Sequence, residues 1–288
     1  MSYVADAKRA VSSWVRPVLQ SAARNYIAGD TISDAIQVAM GLAERRLPTT
    51  LGYWDADGES PDDVLQHYVE ALAALAPSPL DSYLSIKLPS LDYCERRVAE
   101  MVELAATVSR RVHFDALGID SVDRTWALLA KLHEHHDHLR CTLPGRWQRS
   151  VADADWVVAQ RLPVRVVKGQ FADPQDPERD RGRGYLEVVE ALAGRARHVS
   201  IATHEAALIA ASLERLTRAG TPCDVEVLFG LGWHGALDVA RRYNVPVRVY
   251  VPYGAAYLPY CLAEARRSPR LLCRVMIDAV KASLWGAG

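Results

Sequence analysis

Residues 199–251 read VSIATHEAALIAASLERLTRAGTPCDVEVLFGLGWHGALDVARRYNVPVRVYV. Three short β-branched runs stand in this stretch, at 199–202, 225–229 and 247–251. Between them lie two segments of helical periodicity, at 205–218 and 235–242. Strands joined through helices run parallel, because each helix carries the chain back to the end where the last strand began. The helices then cover the sheet, which suits near-continuous apolar strands.

The same beat continues toward the amino terminus. Further strand-like runs fall at 49–53, 83–88, 112–114, 139–143 and 164–167. Helical segments fall at 61–75, 93–109, 123–133, 151–160 and 184–193, with a last one at 258–267. Eight strands alternating with eight helices predict an α/β fold, a (β/α)8 TIM-like barrel whose closure leaves no sheet edge exposed. Residues 1–45 read as an N-terminal helical segment, with Ile32, Ala35, Ile36, Ala39 and Leu42 on one face, and 46–288 as the barrel. An open doubly wound sheet would want a GxGxxG turn after its first strand, and none is there. The long polar loop at 173–184 is either a lid or a solvated excursion.

Composition narrows the function. A chain of 288 residues, half of them hydrophobic, suits one barrel with a large core. A net charge of −1 with both signs interspersed gives no footprint for nucleic acid or an acidic membrane. No apolar run approaches the ~18 residues of a transmembrane segment, and Asp6 and Lys8 interrupt any leader-like start. Five scattered cysteines, Cys94, Cys141, Cys223, Cys261 and Cys273, fit reduced thiols and a cytoplasmic location. The run His133-Glu-His-His-Asp-His138 has metal-ligand types, but it directly precedes a strand and so belongs to the amino-terminal rim, away from the chemistry. No metal is expected.

Chemistry in such a barrel sits at the carboxyl ends of the strands. Polar residues there are Lys87, Asp115, Arg165, Lys168, Thr203, His204, Glu226 and Tyr250, with Leu228 among them. Buried charge is costly without a partner, so repeated charges at one rim suggest a polar ligand. Lys87, Arg165 and Lys168 make that ligand anionic or phosphate-bearing. Plainer roles compete: a surface lysine at Lys87, a structural ion pair at Arg165, and helix caps at His204 and Asp115.

Five segments then point to a family. Leu84-Ser-Ile-Lys-Leu88, Val164-Arg-Val-Val-Lys-Gly169, Ile201-Ala-Thr-His204, Leu228-Phe-Gly230 and Val247-Arg-Val-Tyr-Val-Pro-Tyr-Gly254 resemble proline dehydrogenase, in that family's order, across roughly 30–280. The resemblance implies non-covalent FAD and oxidation of a carbon beside an amine nitrogen to an imine, with a hydride passing to flavin N5. It places Arg165 near the N5 and O4 edge. Lys168, Gly169, Thr203 and His204 would contact the phosphate and ribitol portions. Leu228, Tyr250 and Tyr260 would line the substrate pocket, Lys87 would pair with a substrate carboxylate, and Asp115 would support the pocket.

The chain departs from the family where the substrate carboxylate is held. Two adjacent arginines are expected after Tyr260-Cys-Leu, and Ala263 and Glu264 stand there instead. Glu264 would repel a carboxylate and hold an ammonium, unless it is simply solvated. The family's flavin-contacting Gln falls on Pro144 and its aromatic partner on Arg146. Lys-Gly-Ala-Tyr becomes Lys168-Gly-Gln-Phe171, and the acidic pair after Asp115 becomes Ala116-Leu117. Three expectations follow. The first is an FAD enzyme acting on a cyclic or secondary amine, or a modified proline, without a free carboxylate. The second is ordinary proline oxidation with Arg266 or Arg267 as the clamp, and the third a cofactor-free barrel with a binding or scaffold role. The length leaves no room for the aldehyde dehydrogenase module of bifunctional relatives, so an imine would hydrolyse or pass to a separate enzyme or carrier.

Overall fold

The computed structural model describes residues 27–56 and 58–254. Eight parallel strands close into a barrel in chain order: β1 (Thr49–Tyr53), β2 (Ser82–Ile86), β3 (Val112–Phe114), β4 (Leu139–Pro144), β5 (Val164–Val167), β6 (Val199–Ala202), β7 (Cys223–Leu228) and β8 (Val247–Tyr253). Closure comes from β1 pairing with β8, with Thr49 opposite Val249 and Tyr53 opposite Tyr253. Helix α1 (Ile32–Glu44) precedes β1. After successive strands come α2 (Pro61–Leu75), α3 (Glu95–Thr107), α4 (Val122–His133), α5 (Ser150–Ala159), α6 (Arg181–Leu192), α7 (Ala206–Arg218) and α8 (His234–Arg242). The expected helix at 258–267, with Tyr260, Cys261, Ala263, Glu264, Arg266 and Arg267, lies outside the described residues, as do Cys273 and residues 1–26 of the expected helical segment.

Local chemistry sets the helix starts. Ser60 caps α2 by accepting from the Asp63 backbone N–H, Pro61 fixes the first turn, and Asp62 and Asp63 meet the positive end of the helix. Val64, Tyr68, Ala71, Leu72 and Leu75 then form one buried face. Thr31 and Asp34 make a reciprocal capping box at α1, which packs on α2 and β8. The polar loop at 173–184 is neither free nor wholly a loop. Asp173 is buried and accepts from the backbone of Gln148 and Gln175, and Arg179 donates to the Gly145 carbonyl. Asp180 then caps a helix beginning at Arg181, three residues before the expected 184.

Alternation along the strands separates two environments. Leu84, Ile86, Val112, Phe114, Val164, Val166, Val225 and Val227 are buried against the helices. The residues between them turn inward, and they are polar: Ser85, His113, Thr142, Arg165, Ser200, Asp224, Glu226 and Arg248, all buried. Barrel interiors are usually filled by branched apolar side chains. Here a column of charge fills it.

Candidate active site

Inward alternation in β5 aims Arg165 across the lumen. Its Nε and Nη2 grip Glu226 of β7 at 2.7 and 2.9 Å, and Nη1 reaches Asp115, just past β3, at 2.6 Å. A longer 3.4 Å contact goes to Ser85 of β2. Burial opposes the charge on Arg165, but the carboxylates of Glu226 and Asp115 outweigh it and keep the guanidinium protonated. Asp115 is pulled the other way: burial raises its carboxyl above the ordinary range despite Arg165. Its second oxygen lies 3.3 Å from the Tyr250 hydroxyl, which donates to it, and the Arg165 guanidinium stands 5.2 Å from the Tyr250 ring centre. Tyr250 fits only because β1 carries Gly52 alongside, where an added Cβ would lie 2.0 Å from the Tyr250 oxygen.

These groups floor a cavity of about 430 Å³ at the carboxyl-terminal mouth, a size typical of small-molecule sites. The structure brings Lys87, Asp115, Arg165, Thr203, His204, Leu228 and Tyr250 together around it. Lys168 and Gly169 sit beside it without lining it: Lys168 pairs with Glu205, and Gly169, at φ +91°, turns the chain out of β5. Tyr260 and Glu264 lie outside the described residues.

Competing roles are resolved at several positions. Asp115 faces the lumen rather than capping a helix. His204 caps nothing either: its Nε2 accepts from Leu228 N at 2.9 Å, and its Nδ1 donates to the Gly232 carbonyl at 3.3 Å. That fixes one neutral tautomer, and burial lowers the ring's affinity for a second proton.

The expected excess of cations needs correcting. Lys87 donates to Asp55 at 2.9 Å and to the Tyr53 carbonyl at 2.8 Å. Arg165 has Asp115 and Glu226, and Lys168 has Glu205. These three cations already own carboxylates, so their charge alone does not call for an anionic ligand. Asp55 was missed because it lies in the loop after β1, where no pattern marks it. Glu226 was visible as a charge in a strand, but its pairing across the lumen was not. Trp54 and Gln170 also line the cavity, and no periodicity singles them out.

Proline dehydrogenases are similar to this chain. No family model matches the chain. Proline dehydrogenase 1 of Bacillus subtilis strain 168 is 24% identical over 265 residues, covering 86% of this chain and 87% of its own. Proline dehydrogenase of Deinococcus radiodurans is 24% identical over 287 residues, covering 90% of each. The chain is similar to both of these proline dehydrogenases over most of its length. Among solved structures, proline utilization A of Bdellovibrio bacteriovorus superposes with a TM-score of 0.75 at 14% identity, over 88% of this chain and 33% of that one. The Bradyrhizobium japonicum protein of the same name gives 0.66 at 17% identity, over 83% and 30%. The chain spans about a third of the length of those structures, and the likeness shows the barrel fold alone.

Proposed function

We propose that this chain is an FAD-dependent dehydrogenase that oxidises a proline-like cyclic or secondary amine to an imine. One observation carries the reading: side chains from six different strand ends, five of them in the segments that resemble the family, converge on one cavity. That cavity suits a flavin ring on its apolar side, where Ala116, Leu117, Val167, Val227 and Leu228 form the walls. Of five guanidinium N–H groups on Arg165, Glu226 takes two, Asp115 one and Ser85 a long fourth, so a donor remains for a ligand edge. On the phosphate side Lys168 would exchange Glu205 for an FAD phosphate, a cheap swap because Glu205 is exposed and Lys168 partly so. The chemistry supplied by bound FAD is two-electron acceptance, a hydride leaving the amine carbon for N5.

The chain's own residues would do the rest. Arg165 would hold negative charge at the electron-accepting edge. Tyr250 would pack on the substrate ring, with Gly52 keeping room for it. Asp115, its carboxyl raised by burial, would accept a hydrogen bond from the substrate nitrogen or take its proton. Lys87 is engaged by Asp55 and Tyr53, which supports a substrate without a free carboxylate. The product would hydrolyse or pass to a separate enzyme or carrier.

The test is a spectrum. Purified protein should be yellow, and an N-alkyl cyclic amine or proline methyl ester should bleach it anaerobically faster than proline does. Bleaching by proline alone would remove the altered-substrate part of the proposal. Colourless protein whose melting temperature ignores added FAD would remove the flavin and leave the cofactor-free binding barrel. That second reading draws on the carboxylates already paired with Lys87, Arg165 and Lys168.

A further inference from the structure

The opposite, amino-terminal mouth of the barrel opens on a second cavity of about 600 Å³. Arg111, Arg140, Arg197 and Arg248 line it, against Asp81, Asp137 and Asp224, four guanidiniums to three carboxylates. Their pairing is uneven. Asp81 bridges Arg248, at 3.1 and 3.2 Å, and Arg111. Asp224 lies 3.6 Å from Arg248. Arg140 is only 5% exposed, yet no carboxylate among the described residues comes within 4.0 Å of it. Its Nη2 donates to Ser200 Oγ at 2.9 Å, and its Nε has no acceptor.

The surroundings are adverse to that charge. Arg111, Arg140 and Arg248 gather about one ring, with guanidinium carbons 5.1, 5.2 and 4.7 Å from the Tyr83 centre. Burial, and then repulsion from Arg248, lowers the proton affinity of Arg111. A buried guanidinium with an idle N–H and two cationic neighbours is expensive unless an anion completes it. Asp224 supplies the complementary feature: its Oδ1 is buried with no donor. A fully ionised oxyanion would be repelled there, but hydrogen phosphate has a P–OH that can donate to a carboxylate.

We propose that the amino-terminal mouth is an inorganic phosphate site, with Arg140 and Asp224 at its base and Arg111 and Arg197 at its rim. Arg140 donates to a phosphate oxygen, and the protonated phosphate oxygen donates to Asp224. Sulfate and phosphomonoester dianions lack that proton at neutral pH and bind more weakly.

The test is thermal melting and calorimetry of the full chain at constant ionic strength. Saturating phosphate should raise the melting temperature by about 4 °C or more, and sulfate or a phosphomonoester should do much less. Arg197→Ala, at an exposed position, should weaken phosphate about tenfold. Arg140→Gln should abolish the response. Asp224→Asn should narrow the gap between phosphate and sulfate. Lys168→Ala, at the other mouth, should leave the phosphate response intact. The proposal is overturned by equal responses to phosphate and sulfate, by a response that Arg140→Gln and Arg197→Ala leave unchanged, or by one lost in Lys168→Ala. If Arg140→Gln does not fold, Arg197→Ala decides alone.

Discussion

The two mouths of this barrel are built from the same residue types and are balanced differently. At the carboxyl-terminal mouth Arg165 is clasped between Glu226 and Asp115, and Lys87 is held by Asp55. At the amino-terminal mouth Arg248 has Asp81 and Asp224, but Arg140, equally buried, has among the described residues a serine, a histidine and no carboxylate. A rim of closed pairs selects its ligand by shape and by the few donors left over. A rim with an open guanidinium is incomplete without an anion. Which end of the barrel attracts charge therefore depends on where the partners fall, not on how many arginines each end contains.

The comparison is tested hardest at Glu226. Removing one member of a buried ion pair strands the other, which typically costs about 3–5 kcal/mol. Glu226→Ala should lower the urea-unfolding free energy by about that amount, because Arg165 is buried and loses its two-point partner. Adding Arg165→Met should recover most of the loss. A cost near ~1 kcal/mol for Glu226→Ala would mean that Asp115 alone holds the guanidinium, and the closed-pair description of this mouth would fail.

The barrel was legible in the sequence because its strands are short β-branched runs and the segments between them keep a helical period. Strand limits fall within two residues of expectation at every run. The site was half legible. Strand-end position found Lys87, Asp115, Arg165 and Tyr250, since a charged or phenolic residue inside a β-branched run has to point somewhere. It could not find their partners: Arg165 and Glu226 are separated by 61 positions, and Asp55 lies in a loop. Nothing in the sequence marks Gly52, and only the Tyr250 ring shows why a glycine stands there. Arg140 and Arg248 carried the same signal as Arg165, a charge alternating with apolar neighbours, but they lie at the end of the barrel where chemistry is not usually sought.

Between the mouths, His113 supplies an effect of intermediate size. Its Nε2 lies 2.6 Å from Thr142 Oγ1 and 3.8 Å from Asp115, and its Nδ1 is buried without a partner. Burial first, then the charges of Arg165 and Arg140, hold its pKa well below 6.5. Above pH 6.5 the ring is neutral folded or unfolded, and no stability is at stake. As pH falls below 6.5 the unfolded chain takes up a proton that the folded ring refuses, so stability is lost on acidification. The slope from this residue approaches about 1.4 kcal/mol per pH unit. His138, His198 and His204, also lowered by burial, act in the same direction. Asp115, with its raised carboxyl, acts in the opposite direction. Unfolding midpoints measured from pH 7.5 to 5.5 should fall, and His113→Asn should flatten part of the slope. Equal slopes for the two proteins would show that the imidazole titrates freely in the fold.

The smallest effect is expected at Arg140, and its smallness is informative. In phosphate-free buffer Arg140→Met gives up one hydrogen bond to Ser200 and removes one of three guanidiniums crowded around Tyr83. No carboxylate is stranded by the change, so the penalty that dominates Glu226→Ala has no counterpart here. The lost hydrogen bond and the relieved repulsion are of similar size and opposite sign, which places the net change within about 1 kcal/mol. With phosphate present the two proteins should separate, because only wild type is stabilised by the ligand. If Arg140→Met instead costs as much as Glu226→Ala in phosphate-free buffer, Arg140 is already paired within the chain. The two mouths would then be balanced alike, and the open guanidinium would no longer distinguish them.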